Sequence, residues 1–327
     1  MTGRVPSPRV QPEPGLPRQV RVYEVGPRDG LQAEPDIIPA AMKAELGRRL
    51  FSAGVRDLEL TSFVPPTWIP QLADAADVVA AVDVPAGARA VALVPNLKGL
   101  QRALDAGVRE VAVVVSATES FAGANLNTTR AGALDQAATV IVAAAAEGVP
   151  SRGYVSMAFG DPWEGEVDTA AVASAAAELH TAGAHTIALA DTIGVGTPGL
   201  TTRVVSETLA AGIPLESIAL HLHDTYGAAL ANVLAALRLG VAEFDAAVGG
   251  LGRCPYAKGA TGNLATEDLA WMLHGLGIET GLDLLALAAT TQWLSRIRGV
   301  PAPSRVARAL AAAGSDTHRF AQETEPA

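Results

Sequence analysis

Two histidines stand two residues apart at the end of the apolar run SIALHLHD (217–224). Residues two apart on an extended strand point to the same face, so His221 and His223 share one face. Two neutral imidazoles side by side are a natural pair of metal ligands, although a hydrogen-bonded polar pair that binds nothing is the alternative. Asp29 and Asn263 could add a carboxylate and an amide oxygen. This donor set leaves Mn²⁺, Mg²⁺ and Zn²⁺ open.

Three further charged residues lie close to the ends of predicted strands. Arg28, in GPRDGLQ (26–32), could stabilise an enolate or thioester oxygen as negative charge develops, or form an exposed ion pair in a surface turn. Glu59 lies inside an apolar run, where it is either a partner of Arg28 or a general base. Asp191 ends another run and could hold Arg28 or a histidine.

Cys254, the only cysteine of the chain, lies in GGLGRCPYAKGATGN (249–263). The many glycines of this segment predict a mobile lid, and the neighbouring Arg253 would favour the thiolate form of the cysteine. We expect Cys254 to act as a catalytic acid, base or nucleophile. An inert, half-buried thiol is the alternative interpretation. A single cysteine excludes an internal disulfide and a metal cage made only of thiolates.

Short β-branched runs alternate with alanine-rich helical segments along most of the chain. The eight predicted strands span 20–25, 55–60, 88–94, 108–115, 152–159, 185–190, 217–223 and 243–248. The seven predicted helices between them span 39–53, 68–82, 97–106, 134–147, 167–182, 197–211 and 228–240. This alternation predicts an α/β fold with a closed, parallel (β/α)₈ TIM barrel. A doubly wound open sheet is the alternative, but no GxGxxG motif follows the first strand.

A closed barrel predicts where the reactive residues should lie. Active sites of such barrels form at the carboxyl ends of the strands, and the polar residues singled out above follow or end the predicted strands. The first, seventh and eighth strands are close neighbours in a closed barrel. We therefore expect Asp29, the two histidines and Asn263 to converge.

Composition excludes several classes of protein. The chain has 327 residues and 24 Lys+Arg against 34 Asp+Glu, a formal net charge of −10, and 49% of its residues are hydrophobic. That apolar fraction excludes disorder over most of the chain, and the acidic balance argues against binding to nucleic acid or to an anionic membrane surface. No apolar run approaches the length of a membrane-spanning helix.

The two ends differ from the rest of the chain. The proline-rich segment 1–19 is predicted to be a disordered leader, 20–300 the catalytic barrel and 301–327 a C-terminal tail. The leader lacks the apolar core of a secretory signal and its prolines disfavour an amphipathic targeting helix, so we expect a cytoplasmic protein.

The motifs taken together resemble a known family. From about Val22 to about Leu287 the chain is similar to the hydroxymethylglutaryl-CoA lyases, a family of metal-dependent TIM-barrel lyases. The similarity lies in VGPRDGLQAE, LELTSFVPPTWIPQLADA, PNLKGLQRALDAGV, RGYVSMAFGDPWEG, DTIGVGTPG, HLHDTYGAALANVLAAL and GLGRCPYAKGATGNLATEDL.

The resemblance implies roles for individual residues. It implies that Mg²⁺ or Mn²⁺ is bound by Asp29, His221, His223 and Asn263. It implies that Arg28 stabilises the enolate oxygen and that Cys254 is the catalytic cysteine of the lid. It also places Glu59 and Asp191 at acidic active-site positions and Glu267 at a supporting one.

Two positions depart from the family pattern. Arg253 stands where a glycine is typical before the cysteine, and Met157 and Asp161 stand where family members often have cysteines. The second departure removes only incidental thiols, whereas the first could change the pKa of the Cys254 thiol or the acyl group that is accepted.

The activity implied is a retro-Claisen cleavage of 3-hydroxy-3-methylglutaryl-CoA to acetyl-CoA and acetoacetate. The expected partner is thus an acyl-CoA substrate, with neither nucleic acid nor membrane, and the family suggests a homodimer. The alternatives are a lyase for a longer-chain 3-hydroxy-3-alkylglutaryl-CoA, a Claisen-condensing synthase of the isopropylmalate or citramalate type, and a non-catalytic binding barrel.

Overall fold

Eight parallel strands close into a barrel in the computed structural model, which describes residues 6–252 and 262–322 and side chains as far as Ala313. The strands are β1 (Arg21–Glu24), β2 (Asp57–Ser62), β3 (Arg89–Leu93), β4 (Val111–Ser116), β5 (Ser151–Ser156), β6 (Thr186–Asp191), β7 (Ile218–Leu222) and β8 (Glu243–Ala246). Each strand pairs with the next in chain order and β1 pairs with β8. The predicted (β/α)₈ barrel is confirmed.

The strands form because their β-branched and apolar residues fit a sheet that is covered on both faces. Every residue of β2, β5 and β7 is buried. The ring closes where β1 meets β8, with Tyr23 opposite Asp245 and Glu24 opposite Ala246. This closure brings the first turn of the chain beside the last strand.

Helices surround the barrel and join its strands. They are α1 (Ala40–Ser52), α2 (Ala75–Ala80), α3 (Leu97–Asp105), α4 (Glu119–Phe121), α5 (Arg130–Ala146), α6 (Thr169–Ala182), α7 (Pro198–Ala210), α8 (Ala229–Arg238), α9 (Thr266–Gly275), α10 (Leu284–Arg298) and α11 (Arg305–Gln322). Side-chain oxygens of Thr129, Asp168 and Thr197 accept backbone N–H groups and so cap α5, α6 and α7.

The predicted helix over 68–82 is wrong in its first half. Only Ala75–Ala80 is α-helical, and Pro70–Leu72 forms a single 3₁₀ turn. Proline lacks an N–H and clashes with the preceding turn of an α-helix, so Pro70 is accepted only at the start of a helical segment. The loop after β2 is correspondingly longer than expected, and it leaves Trp68 57% exposed.

The two ends of the chain contact the barrel. The N–H of Gln11 donates to the carbonyl of Gly275 at 2.8 Å, and Arg238 pairs with Glu13 at 2.9 Å. In the segment predicted as a tail, Ala307 and Leu310 of α11 are buried against Ala288 of α10. The division of the chain at residues 19 and 300 remains a prediction.

None of the helices that the structure describes is both long and apolar enough to cross a membrane.

Candidate metal centre

The two histidines lie together at the carboxyl end of β7. His221 is in the strand and His223 follows it, with ring centroids 5.2 Å apart, and both side chains are buried. Asp29 faces them. One ligand atom from each of Asp29, His221 and His223 lies within 4.8 Å of the other two. The expected convergence of these three residues is observed.

Asp29 is held by a tight turn directly after β1. The N–H groups of Arg28, Asp29 and Gly30 all point to the carbonyl of Val25, at 3.2, 2.8 and 3.1 Å. The turn packs closely at Gly26, since a Cβ atom there would lie 2.6 Å from Oε1 of Glu24. A larger residue at position 26 would therefore displace the turn that carries the metal-ligand candidate.

Asn263 reaches the centre through backbone pairing with β7. The N–H of Leu264 donates to the carbonyl of Leu222 at 3.0 Å, and residues 223 and 263 form a bridge. The Asn263 amide nitrogen donates to Asp29 Oδ2 at 2.7 Å and to the carbonyl of Leu251 at 3.0 Å. Asn263 thus adjoins the cluster as predicted from the barrel topology. Its amide nitrogen faces Asp29, whereas the sequence suggested the amide oxygen as a ligand.

Arg28 and Glu59 form a buried ion pair beside the cluster. Nε of Arg28 donates to Oε1 of Glu59, and its Nη1 donates to Asp29 Oδ1 at 2.6 Å. The hydroxyls of Tyr23 and Tyr154 both donate to Oε2 of Glu59, at 3.0 and 2.8 Å. Because all these donors converge on a fully buried carboxylate, Glu59 is equipped to orient Arg28.

Asp191 does not make the contact expected of it. Its carboxylate accepts the N–H groups of Val195 and Gly196, at 3.0 and 2.9 Å, and bonds neither Arg28 nor a histidine. These N–H groups of the loop after β6 occupy the carboxylate oxygens. Burial raises the pKa of Asp191 to about 6.

The electrostatics favour an anionic Asp29 and a neutral His223. Burial acts to raise the pKa of Asp29, but the charges of Arg28 and the two histidines outweigh it and hold that pKa well below its usual value. Burial, together with the charge of His221, lowers the pKa of His223 to about 3. A carboxylate beside a neutral imidazole is the protonation state that a cation requires of its ligands.

The donor atoms fit a divalent cation. Nδ1 of His223 is buried and has no hydrogen-bond partner in the described part of the chain. Nδ1 of His221 is 3.1 Å from Oδ2 of Asp245, which leaves Nε2 as the available nitrogen. Metal-binding histidines commonly donate their second ring N–H to a carboxylate in this way.

Sequence reasoning missed several of the groups that hold the site. They are Tyr23, Glu24, Arg152, Tyr154 and Asp245. Alternation would have placed Arg152 and Tyr154 on the same face of β5, and Glu243 and Asp245 on the same face of β8. The sequence therefore shows which of these residues share a face of a strand, but it does not show which residues they bond.

A cavity of about 1210 Å³ opens onto the cluster. Arg28, Asp29 and both histidines contribute to its lining, and its apolar lining residues include Leu93, Val114 and Phe121. The cavity therefore joins a charged region to an apolar one.

The structure describes Asp161 but not most of the predicted lid. Asp161, where the family often has a cysteine, is buried, and it accepts the Thr118 hydroxyl at 2.6 Å and the Trp163 N–H at 2.7 Å. It therefore organises the loop after β5. Arg253, Cys254 and most of the predicted lid lie outside the described residues.

The closed (β/α)₈ barrel has a carboxylate and two imidazoles at the carboxyl ends of its strands. These features place the chain among the TIM-barrel proteins with a candidate metal-dependent active site. Within this class, the HMGL-like family model matches residues 19–294. The chain belongs to the HMGL-like family.

Two similar proteins agree with membership of this family. The chain is 49% identical over 296 residues to the mitochondrial hydroxymethylglutaryl-CoA lyase of Arabidopsis thaliana, covering 90% of this chain and 63% of that protein. It is 47% identical over 297 residues to the 3-hydroxy-3-isohexenylglutaryl-CoA/hydroxymethylglutaryl-CoA lyase of Pseudomonas aeruginosa, covering 91% of this chain and 99% of that protein.

A solved structure shares the fold. It is an HMG-CoA lyase from Acinetobacter baumannii in complex with coenzyme A and 3-methylmalate, with a TM-score of 0.85 and 39% sequence identity. The match covers 89% of this chain and 95% of that chain.

Proposed function

We propose that this protein is a carbon–carbon lyase that cleaves 3-hydroxy-3-methylglutaryl-CoA to acetyl-CoA and acetoacetate. The observation that carries the proposal is the cluster of Asp29, His221 and His223 within 4.8 Å beside the buried Arg28–Glu59 pair, in a chain of the HMGL-like family. The names of the relatives, all lyases, favour cleavage over the condensing alternative.

We propose Mg²⁺ or Mn²⁺ as the cofactor, held by Asp29, His221 and His223, with Asn263 as a fourth ligand. A divalent ion bound there would lower the pKa of the substrate hydroxyl, and a substrate carboxylate would help to bind the ion. Two imidazoles and a carboxylate suit these ions but also admit others. Asn263 would need to present Oδ1, and a rotation of its amide plane would exchange the two atoms.

The reaction requires a proton to leave the C3 hydroxyl and the C2–C3 bond to break. The electron pair of the O–H bond forms the ketone, and the pair of the C2–C3 bond passes to the thioester as an enolate. Arg28 lies at the cavity wall, next to Asp29, where its guanidinium would stabilise the enolate oxygen. A proton delivered to the enolate carbon then completes acetyl-CoA.

The base that takes the hydroxyl proton is best sought among the cluster residues. Asp29 and His223 both line the cavity beside the proposed ion, so either could accept the proton. Glu59 is an unfavourable base because Arg28 and two tyrosine hydroxyls occupy its oxygens. Its proposed role is to position Arg28. Cys254, predicted to be a catalytic acid, base or nucleophile, is the proposed acid for the enolate carbon.

The proposed partner is an acyl-CoA, and the cavity of about 1210 Å³ is large enough for its acyl end and part of the thioester arm. That nucleic acid plays no role stays a prediction from the acidic composition. The homodimer, the cytoplasmic location and the role of Asp191 are retained as predictions from the sequence.

Incubation with 3-hydroxy-3-methylglutaryl-CoA and Mg²⁺ or Mn²⁺ tests the proposal directly. We expect acetoacetate to form, and a chelator to abolish its formation. His223→Gln should lose both activity and Mn²⁺ binding. His274→Gln is the matched control, since His274 bonds Thr280 at 2.7 Å away from the cluster, and it should retain both. Absence of acetoacetate from the intact enzyme, or turnover that survives chelation, would refute the proposal.

Cys254→Ala separates the proposed acid from the ion site. We expect this variant to bind Mn²⁺ as the wild-type protein does and to lose most of its turnover. Near-normal cleavage would remove the thiol from the mechanism.

A further inference from the structure

A buried arginine crosses the barrel towards the metal centre without reaching it. Arg152 lies on β5, and its guanidinium donates to Glu243 and Asp245 on β8. Its side chain is only 2% exposed. The guanidinium carbon lies 4.1 Å from the centroid of the Tyr23 ring and 5.2 Å from that of Tyr154. Two carboxylates and two rings therefore hold this cation in one place.

The two carboxylate oxygens of Asp245 have different partners. Oδ1 accepts from Nη2 of Arg152, and Oδ2 lies 3.1 Å from Nδ1 of His221. Both Asp245 and Arg152 are almost fully buried. Because Arg152 bonds Glu243 as well as Asp245, its guanidinium is fixed, and it restrains the Asp245 carboxylate that it holds at Oδ1. The second oxygen of Asp245 is therefore a rigid acceptor for the imidazole N–H.

This acceptor decides which nitrogen of His221 faces the cluster. When Nδ1 donates to Asp245, the proton resides on Nδ1 and the lone pair on Nε2 is available as a ligand. The rings of His221 and Tyr154 pack in a T-shaped arrangement with centroids 5.9 Å apart and planes at 89°, which restrains the His221 ring in the same orientation.

We propose that Arg152 is a positioning residue that acts through Asp245 on His221, and so raises the affinity of the site for a divalent cation. The inference rests on the proposed function, because it requires the Asp29–His221–His223 cluster to bind an ion. It extends the site to a residue on the opposite wall of the barrel that contacts neither the ion site nor the cavity.

Mn²⁺ binding to the metal-stripped protein provides the test, measured by titration calorimetry or by the loss of the free Mn²⁺ paramagnetic resonance signal. Arg152→Met should weaken Mn²⁺ binding about 10–100-fold, the range found for partners that orient metal ligands. Asp245→Asn keeps the size of the side chain and should weaken binding by a similar factor.

Arg89→Met is the matched control. Arg89 on β3 also bridges two acidic side chains, since it bonds Asp57 and Glu110, but its side chain is 39% exposed and has no ion pair with Asp245. We expect this variant to lose thermal stability while retaining wild-type affinity for Mn²⁺. The ring ¹⁵N shifts of His221 provide a second readout, and they should report the Nδ1–H form in the wild-type protein and a mixture in Asp245→Asn.

The outcomes separate this inference from the function on which it rests. If the wild-type protein binds Mn²⁺ but Asp245→Asn and folded Arg152→Met bind it equally well, the positioning role is refuted and the metal centre stands. If Arg152→Met fails to fold, Asp245→Asn alone decides by the same criterion. If the wild-type protein binds no Mn²⁺, both the metal assignment and the inference are overturned.

Discussion

Replacing Glu24 with glutamine should remove a pH-dependent part of the stability while leaving the fold unchanged. Oε1 of Glu24 accepts the N–H groups of Gly26 and Val248, both at 2.8 Å, and Oε2 accepts the Thr266 hydroxyl at 2.6 Å. Glutamine retains an oxygen for the two N–H groups and turns its NH₂ group towards the Thr266 oxygen. Glu24→Gln therefore preserves the link between the turn after β1 and the segment after β8.

The magnitude follows from the pKa of the Glu24 carboxyl. Burial raises this pKa from 4.5 to about 7. Because the folded state holds the proton more tightly, the stabilisation is fully present below pH 4.5 and is lost as pH rises through 7. A difference of about 2.5 pKa units corresponds to about 3 kcal/mol in the free energy of unfolding. Between pH 5 and pH 8 the loss should be about 2–3 kcal/mol.

Urea unfolding at pH 5, 6, 7 and 8 measures this loss, with a chelator present so that bound cations add no pH dependence of their own. The stability of Glu24→Gln should rise relative to the wild-type protein by that amount across the series. Glu178→Gln on the exposed surface of α6 is the control and should run parallel to the wild-type protein. Parallel curves for Glu24→Gln itself would show that burial of this carboxyl does not govern its titration.

Three further substitutions test other parts of the structure. Gly54→Ala should cost at least about 1–3 kcal/mol in urea unfolding, since Gly54 has φ +93° and a Cβ there would lie 2.1 Å from the carbonyl oxygen of Gly281. Tyr154→Phe removes a hydroxyl from Glu59, so kcat should fall about tenfold through looser placement of the Arg28 charge, with Mn²⁺ affinity unchanged in calorimetry. Asp191→Asn leaves a loop N–H without its acceptor and should cost about 1–3 kcal/mol, and lost Mn²⁺ binding would instead support the predicted active-site role.

The barrel was predictable because its signals are local. Each strand is a short β-branched run, and each connection contains a helix long enough to return the chain to the start of the next strand. The prediction failed over 68–82, where apolar spacing suggested a helix but Pro70 limits the first turn to 3₁₀ geometry. Backbone chemistry there outweighs the hydrophobic pattern.

The positions of the candidate metal ligands were predictable for a different reason. Once the fold is a closed barrel, the carboxyl ends of its strands meet at one rim, so residues far apart in the chain are brought together by topology alone. Asp29 and Asn263 are 234 residues apart in sequence, yet their side chains are bonded. The rule does not say which atoms of these side chains meet. The Asn263 amide turns its nitrogen to Asp29, whereas the sequence suggested an oxygen ligand.

The partners of buried charges were beyond sequence reasoning because they depend on competition between neighbours. The sequence suggests that Asp191 could hold Arg28 or a histidine, but its oxygens accept the N–H groups of Val195 and Gly196 instead. Arg152 shows the same dependence on three-dimensional placement, because the barrel brings β5 and β8 within reach of one side chain although they are three strands apart in the ring. Barrel closure thus creates the contact from which we infer a positioning role. It brings the Arg152 guanidinium to one oxygen of Asp245, and the other oxygen of Asp245 bonds the imidazole of His221.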